Sequence, residues 1–468
     1  MFESGEERPM KKRMAKERGR TAAVPKQAYW DRETQKALEV FPVSGQRLPA
    51  AIIRSAAGIK RHAAAVNAEL KMIPAGKARA IARAAREVEA GRLADQFPLD
   101  LYQSGSGTNS HGNLNEVIAN RAAELLGGRI GDRRLVHPND HVNRGQSSND
   151  VMPTALHLAA ARAVARELIP ALTRLAHELE RKAKEFNRIV KTGRTHLMDA
   201  APIRLGREFS GWAARVRLAS ADLERTVEDL YELPLGGTAV GTGLNAHPKF
   251  AGKVIARLRQ DYRLPLREAE NHFEAQAASD RLVRVSGSLR DLAVTLAGIA
   301  ENIRCLGSGP TAGLGELMLP ELMAGSTIMP GKVNPVVPEA VIMACTKVIG
   351  NDAAVAVAGL NARFQLSTMM PLIAQSLLES ITLLTNAARL FAEKCVRSIK
   401  ANAQRCARLA AQNPMLATAL TPQIGYDKAA EIAKRAVKEG RPVKEVAAEM
   451  TDLSPAELDR LLDPGKMT

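Results

Sequence analysis

A hydroxyl, a cation and an amide lie close together in the stretch Gly325-Ser326-Thr327-Ile328-Met329-Pro330-Gly331-Lys332-Val333-Asn334-Pro335. Ser326 could transfer a proton while Lys332 and Asn334 bind an oxyanion, the division of labour that acid–base chemistry beside a carboxylate requires. Gly325 and Gly331 open backbone angles closed to other residues, whereas Pro330 and Pro335 fix φ and remove donors, so the stretch reads as a shaped loop with hinges, not a helix. An ordinary flexible surface loop has the same composition, and these residues alone do not separate the two readings.

Three further polar segments carry candidate chemistry. Ser104 to Asn113, with Ser106, Gly107 and Thr108, is rich in glycine and small hydroxyls and leads into a helical pattern from Glu116 to Leu126, which suits an anion at a helix N-terminus. It lacks the Gly-Lys-Ser/Thr of a phosphate-binding loop and no strand precedes it, so nucleotide binding is rejected. Residues 137 to 150 form a second polar loop before a long helix; His137 and His141 are four apart, but the intervening Pro138-Asn139-Asp140 favours a turn over a metal pair. Lys191 to Asp199 is the third, and it contains a Thr-His pair. The uncharged Gly236 to Gly243 run reads as structural.

Long helices must position these segments. Leu282, Val285, Leu289, Leu292, Leu296, Ile299 and Ile303 recur in steps of three and four, and Ile373, Leu377, Ile381, Leu384, Ala388 and Phe391 repeat the seam. Leu168, Leu172, Leu175 and Leu179 share one face of another helix, which Pro170 should kink or divide. The expectation is an all-α protein with a central bundle over residues 146–400, an N-terminal helical domain over 23–145, a small C-terminal helical domain over 401–468, and a basic, mobile tail over 1–22, where seven Lys or Arg accompany four Glu.

Composition agrees with a soluble chain: 468 residues, 46% hydrophobic, 25% charged and only 3% aromatic, with abundant Ala, Leu and Arg that favour helix. No apolar run approaches the ~20 residues of a membrane span and no secretory signal core is present, so a cytoplasmic location is expected. Cys305, Cys345, Cys395 and Cys406 lie far apart and read as reduced thiols. A net charge of +16 suits an anionic small substrate, a nucleic acid or an acidic partner; the basic residues are scattered among acids along helical faces, which favours solvated surface over nucleic-acid binding.

With these segments in view, the chain resembles the class II fumarases of the aspartase/fumarase superfamily. The loop at 325–335 matches their Gly-Ser-Ser-x-Met-Pro-x-Lys-x-Asn-Pro signature except for Thr327, and agreement extends over Ser104 to Ala122, Val136 to Asn149, Lys191 to Glu208, Leu235 to Asn245 and Ile424 to Lys434. The resemblance implies a three-domain all-α fold and addition or removal of water across a dicarboxylate through an aci-carboxylate. It implies Ser326 as base, His196 acting with water on the departing hydroxyl, and Glu339 orienting His196. It further implies substrate binding by Lys332 and Asn334 with Ser106, Thr108, Ser147, Ser148, Asn149 and Thr195, and with Gly107, Thr327 and Val333 in the same loops. His137, Pro138, Asn139 and Asp140 match a secondary dicarboxylate site, which a turn at a helix start explains equally well. The resemblance also implies a homotetramer with sites shared between chains, and no metal or organic cofactor.

Departures bear on the leaving group. His111-Gly112 stands where Asn-Met is usual, and Met198 and Arg207 stand where Gln is usual, which changes hydrogen bonding near the site. Asn334 to Glu339 and Leu319 to Leu322 look more like an aspartase, so aspartate ammonia-lyase is the alternative within the superfamily. A non-catalytic tetrameric binding protein is the alternative of another class, and the retained Ser326, His196, Lys332, Asn334 and Glu339 speak against it.

Overall fold

The computed structural model describes the backbone of residues 12–17 and 20–468 and the side chains from residue 23 onward. Of the expected N-terminal tail, residues 1–11 and 18–19 lie outside the described residues; Lys12–Glu17 pairs antiparallel with Arg20–Pro25. The chain divides into two compact units, one from Met1–Ile169, Asp222–Arg290 and Lys347–Leu383, the other from Pro170–Ala221, Asp291–Thr346 and Leu384–Thr468.

Helices dominate because the apolar seams are continuous. Helix Asp280–Leu306 runs for 27 residues, and every member of its seven-residue seam is at most 1% exposed, as is every member of the seam in Met370–Leu390 and its extension to Phe391. Burying Leu and Ile at each step of three or four is worth roughly 1.5–3 kcal/mol per side chain, so propensity and packing point the same way. The division expected at Pro170 is present. A π-helical turn at Val164–Leu168 separates Ser148–Ala163 from Ile169–Glu185 and accommodates the missing donor, so Leu168, Leu172, Leu175 and Leu179 all stay buried.

Two expectations change, and one polar segment gains a defined shape. The helix expected from Glu116 starts at Thr108, because Gly107 adopts a left-handed φ of 72° that turns the chain directly into it, and Ser110, His111 and Asn113 are drawn into the buried face. Lys191 to Asp199 is a β-hairpin, Val190–Thr195 against Met198–Arg204, with a bulge between Thr192 and Arg194. A Cβ on Gly193 would stand 2.5 Å from the Ala201 carbonyl oxygen, so the bulge needs that glycine. Helix Val336–Gly359 is long and apolar enough to span a bilayer by length and composition, which corrects the expectation that no apolar run approaches that size.

In the first unit Gly105 packs directly on the chain at Thr368. Its carbonyl accepts from Met370 N at 2.8 Å, and a Cβ there would lie 1.7 Å from the Thr368 carbonyl oxygen. Gly105→Ala should therefore destabilise the protein by on the order of 2 kcal/mol, read as a lower denaturation midpoint, by forcing apart backbone that has no flexible side chain to yield.

Buried imidazoles give this unit an acid limit. His62, His111 and His157 are each at most 6% exposed, and burial lowers the pKa of all three, His157 from 6.5 to about 4 and His111 well below 6.5. The folded chain thus binds fewer protons than the unfolded chain. The associated stability is fully present above the unfolded value near 6.5 and is lost as pH falls towards about 4. For His157 alone the loss is on the order of 3 kcal/mol. Urea denaturation should show that fall between neutral and acid pH, and His157→Gln should flatten it.

Candidate active site

In the first unit, two helix starts bring hydroxyls together. Thr108 opens one helix and Ser148 the other; Thr108 Oγ1 lies 2.6 Å from Ser106 Oγ and 3.0 Å from Ser148 Oγ. Both helix ends offer backbone N–H groups and positive dipole ends, so the hydroxyl chain stands where a carboxylate would be favoured. Asn149 donates its side-chain amide to Ala239 O at 2.8 Å, tying the second helix start to the glycine-rich Gly236 to Gly243 segment.

Asp150 holds this arrangement, and motif reading passed over it. It is fully buried, its Oδ1 accepts from Ser147 N at 2.9 Å, and its Oδ2 accepts from Gly236 N at 3.0 Å and Thr238 N at 3.1 Å. Burial raises its pKa, against those backbone donors and the charge of Lys60. Ser147 and Asp150 form a reciprocal capping box, and the Ser-x-x-Asp spacing was the available signal. Gly236 and Thr238 thus serve a structural role as donors to Asp150.

His137 to Asp140 forms the entrance to a π-helical turn, Pro138–Val142. His137 Nδ1 accepts from Asn139 N and Asp140 N and lies 3.3 Å from Asp140 Oδ2. His141 Nδ1 accepts from His137 N and its Nε2 meets Lys77 Nζ at 3.2 Å, so the two histidines are engaged in the turn and its neighbour.

In the second unit, Thr195 and Met198 close the hairpin with His196 and Leu197 as its two-residue turn, at φ of 54° and 64°. Both central residues at positive φ fit a type I′ turn, which normally takes Asn and Gly; here it costs on the order of 1–2 kcal/mol per residue. Strain of that kind is held where function requires a fixed side chain. The turn is exposed, and Leu197 is 91% exposed.

Ser326 and its neighbours lie on the loop expected from the glycines and prolines. Its hydroxyl oxygen accepts from Ile328 N at 3.2 Å and Met329 N at 2.9 Å. Two backbone donors aimed at one oxygen favour its anion, the property a serine base needs. Asn334 Nδ2 donates to Gly325 O at 2.5 Å and closes the loop, and a Cβ at Gly325 would stand 2.1 Å from Lys332 O. Lys332 is exposed and makes no ion pair among the described residues. Glu339 lies in the first turn of helix Val336–Gly359.

The departures from the family pattern fall in different environments. His111 is 4% exposed with Nε2 unpartnered, one turn into the helix that Thr108 opens. Met198 is exposed beside the turn. Nearby, Arg204 donates to Thr468 Oγ1 at 3.0 Å and Asn187 O at 3.3 Å, neutral acceptors that leave its charge in place. Arg207 lines an open cavity with Glu180, Lys184 and Ser210.

Comparison with known proteins identifies the family. The family described as lyase matches residues 20–350, and that described as fumarase C C-terminus matches residues 416–468. A class II fumarate hydratase of Xylella fastidiosa is 50% identical over 445 residues, covering 95% of this chain and 93% of the relative. One from Nitrosomonas europaea is 49% identical over 448 residues, covering 96% and 97%. The crystal structure of class II fumarase from Schistosoma mansoni superposes with a TM-score of 0.94 at 37% identity, covering 97% of this chain and 99% of that one. A fumarate lyase from Brucella melitensis, bound to cobalt in its crystal structure, superposes at 0.93 with 43% identity and the same coverage. With the signature loop in place and near-complete coverage by such relatives, the chain belongs to the class II fumarases of the aspartase/fumarase superfamily, all-α lyases built on a central bundle of long helices.

Proposed function

We infer that this protein is a fumarate hydratase, interconverting fumarate and (S)-malate by anti addition and removal of water. The observation that carries the reading is the Ser326 hydroxyl oxygen receiving two backbone N–H groups within the loop that bears Lys332 and Asn334. In the dehydrating direction Ser326 takes the weakly acidic proton beside one malate carboxylate. The doubly charged aci-carboxylate that forms is met by Lys332 and Asn334, whose charge and amide are worth most when water is excluded. Ser106, Thr108, Ser147, Ser148, Asn149 and Thr195 bind the carboxylates, with Gly107, Thr327 and Val333 shaping the same surface. His196, with water, protonates the departing hydroxyl, and Glu339 orients His196. His137 to Asp140 is a secondary dicarboxylate site in this reading.

We also propose a cytoplasmic homotetramer with active sites shared between chains. Its support is the amount of apolar surface that one chain leaves uncovered: helix Val336–Gly359 exposes Met343 and Val357 by more than 60%, and Leu360 and Phe364 follow it at 72% and 92%. Leu197 and Ile328, at the two catalytic segments, are equally bare. Apolar area of this extent is covered in stable assemblies.

The aspartase-like Asn334 to Glu339 segment keeps aspartate ammonia-lyase as the second reading. Purified protein mixed with malate should develop the absorbance of the fumarate double bond, and with aspartate should release no ammonia; the reverse result would transfer the assignment. Ser326→Ala and His196→Asn should each lower turnover by about 10²- to 10⁴-fold, the range for loss of a proton-transfer group. Retained turnover in both would remove these roles. Sedimentation should give four chains; a monomer that turns over malate would refute the shared site.

A further inference from the structure

The strained turn bearing His196 rests on a buried ion cluster that the proposed chemistry does not use. Lys191 is 1% exposed and Glu316 fully buried. Lys191 Nζ stands 3.1 Å from Glu208 Oε1 and 3.2 Å from Glu316 Oε2, and donates to Thr192 O at 3.0 Å. Arg194 places its two terminal nitrogens on the two Glu316 oxygens, at 3.0 and 2.8 Å. Two cations and two carboxylates balance, which is the condition for keeping such groups out of water.

Glu316 is held at both ends of its own backbone. Its N–H donates to Leu306 O and its carbonyl accepts from Asn402 N, each at 2.9 Å, and Leu317–Met318 then pairs with Lys400–Ala401. The opposite strand is tied by Asn413 Nδ2 to Ala200 O at 2.7 Å. A lone two-stranded hairpin is marginal in water, and this one ends in two non-glycine residues at positive φ. Its conformation must therefore be imposed from its base, and Arg194 is the residue nearest His196 on that strand whose side chain is anchored in the cluster.

We propose that Glu316, through the paired hydrogen bonds from Arg194 and the contact with Lys191, is the positioning residue that fixes where His196 stands. The inference rests on the reading of His196 as the group that serves the departing hydroxyl. The planar Arg194 fork sets both the height and the direction of the strand end, which a point charge cannot do. Glu316 also lies on the segment that leads into the Ser326 loop, so one buried carboxylate references both segments to the same backbone.

The test is a double-mutant cycle in the full-length assembly, read as kcat and KM for malate. Arg194→Lys keeps the charge balance and removes the fork. It should lower kcat by about a hundredfold, the cost of misplacing a reacting group by about an ångström, with KM changed less than about threefold. In a His196→Asn background the same substitution should change the residual turnover by less than about threefold, because an effect acting through His196 disappears with it. Glu316→Gln, which retains the shape and leaves two cations facing one carboxylate, should show the same dependence on His196. Equal losses in both backgrounds, or losses matched by loss of folded protein in circular dichroism, would overturn the proposal. Unchanged kcat in Arg194→Lys would overturn it while leaving the role of His196 intact. Full turnover in His196→Asn alone would remove the reading of His196 and this inference together.

Discussion

A carboxylate taken out of water has to be met by donors or cations, and each compact unit is organised around one such group near its polar segments. In the first unit Asp150 gathers three backbone N–H groups and fastens a helix start to the glycine-rich Gly236 to Gly243 run. In the second, Glu316 gathers Lys191 and Arg194 and fastens a β-hairpin. Removing either carboxylate would orphan its partners inside the protein, a larger penalty than the loss of the contacts themselves. This is why loops rich in glycine and hydroxyls, which have little core of their own, keep a defined shape.

Above those anchors the groups proposed for chemistry are accessible and lightly held. Ser106, Thr108 and Ser148 exchange hydrogen bonds mainly with one another, Lys332 is exposed, and His196 sits on a turn open to solvent. Rigid support beneath accessible polar groups is, in each unit, an arrangement suited to meeting an anion. Leu197 and Ile328 are exposed in one chain, and the proposed electrostatics call for drier surroundings. The shared tetrameric site proposed above would supply them.

The family departures gain physical meaning from placement. His111 looked like a change beside the ligand, but it faces the interior, where burial keeps its imidazole neutral and leaves Nε2 without a partner. It belongs to the packing of the helix that begins at Thr108. Met198 remains exposed beside the His196 turn, which makes it the departure best placed to alter contacts there.

Much of the fold was legible in residue order alone. Steps of three and four in Leu282 to Ile303 and Ile373 to Phe391 prescribe long buried helices, because only a 3.6-residue period puts those side chains on one face. The Gly325 to Pro335 loop was equally legible, since glycine and proline act through local backbone sterics. What stayed hidden depends on contacts between distant residues. Lys191 and Arg194 read as solvated charges until Glu316, far along the chain, is brought beside them. Asp150 read as one more polar loop residue until Gly236 and Thr238 arrive to donate to it. Chain order determined the helices, the loop and the inventory of reactive groups; tertiary structure alone decided which charges are buried and paired, because burial and pairing are properties of neighbours in space.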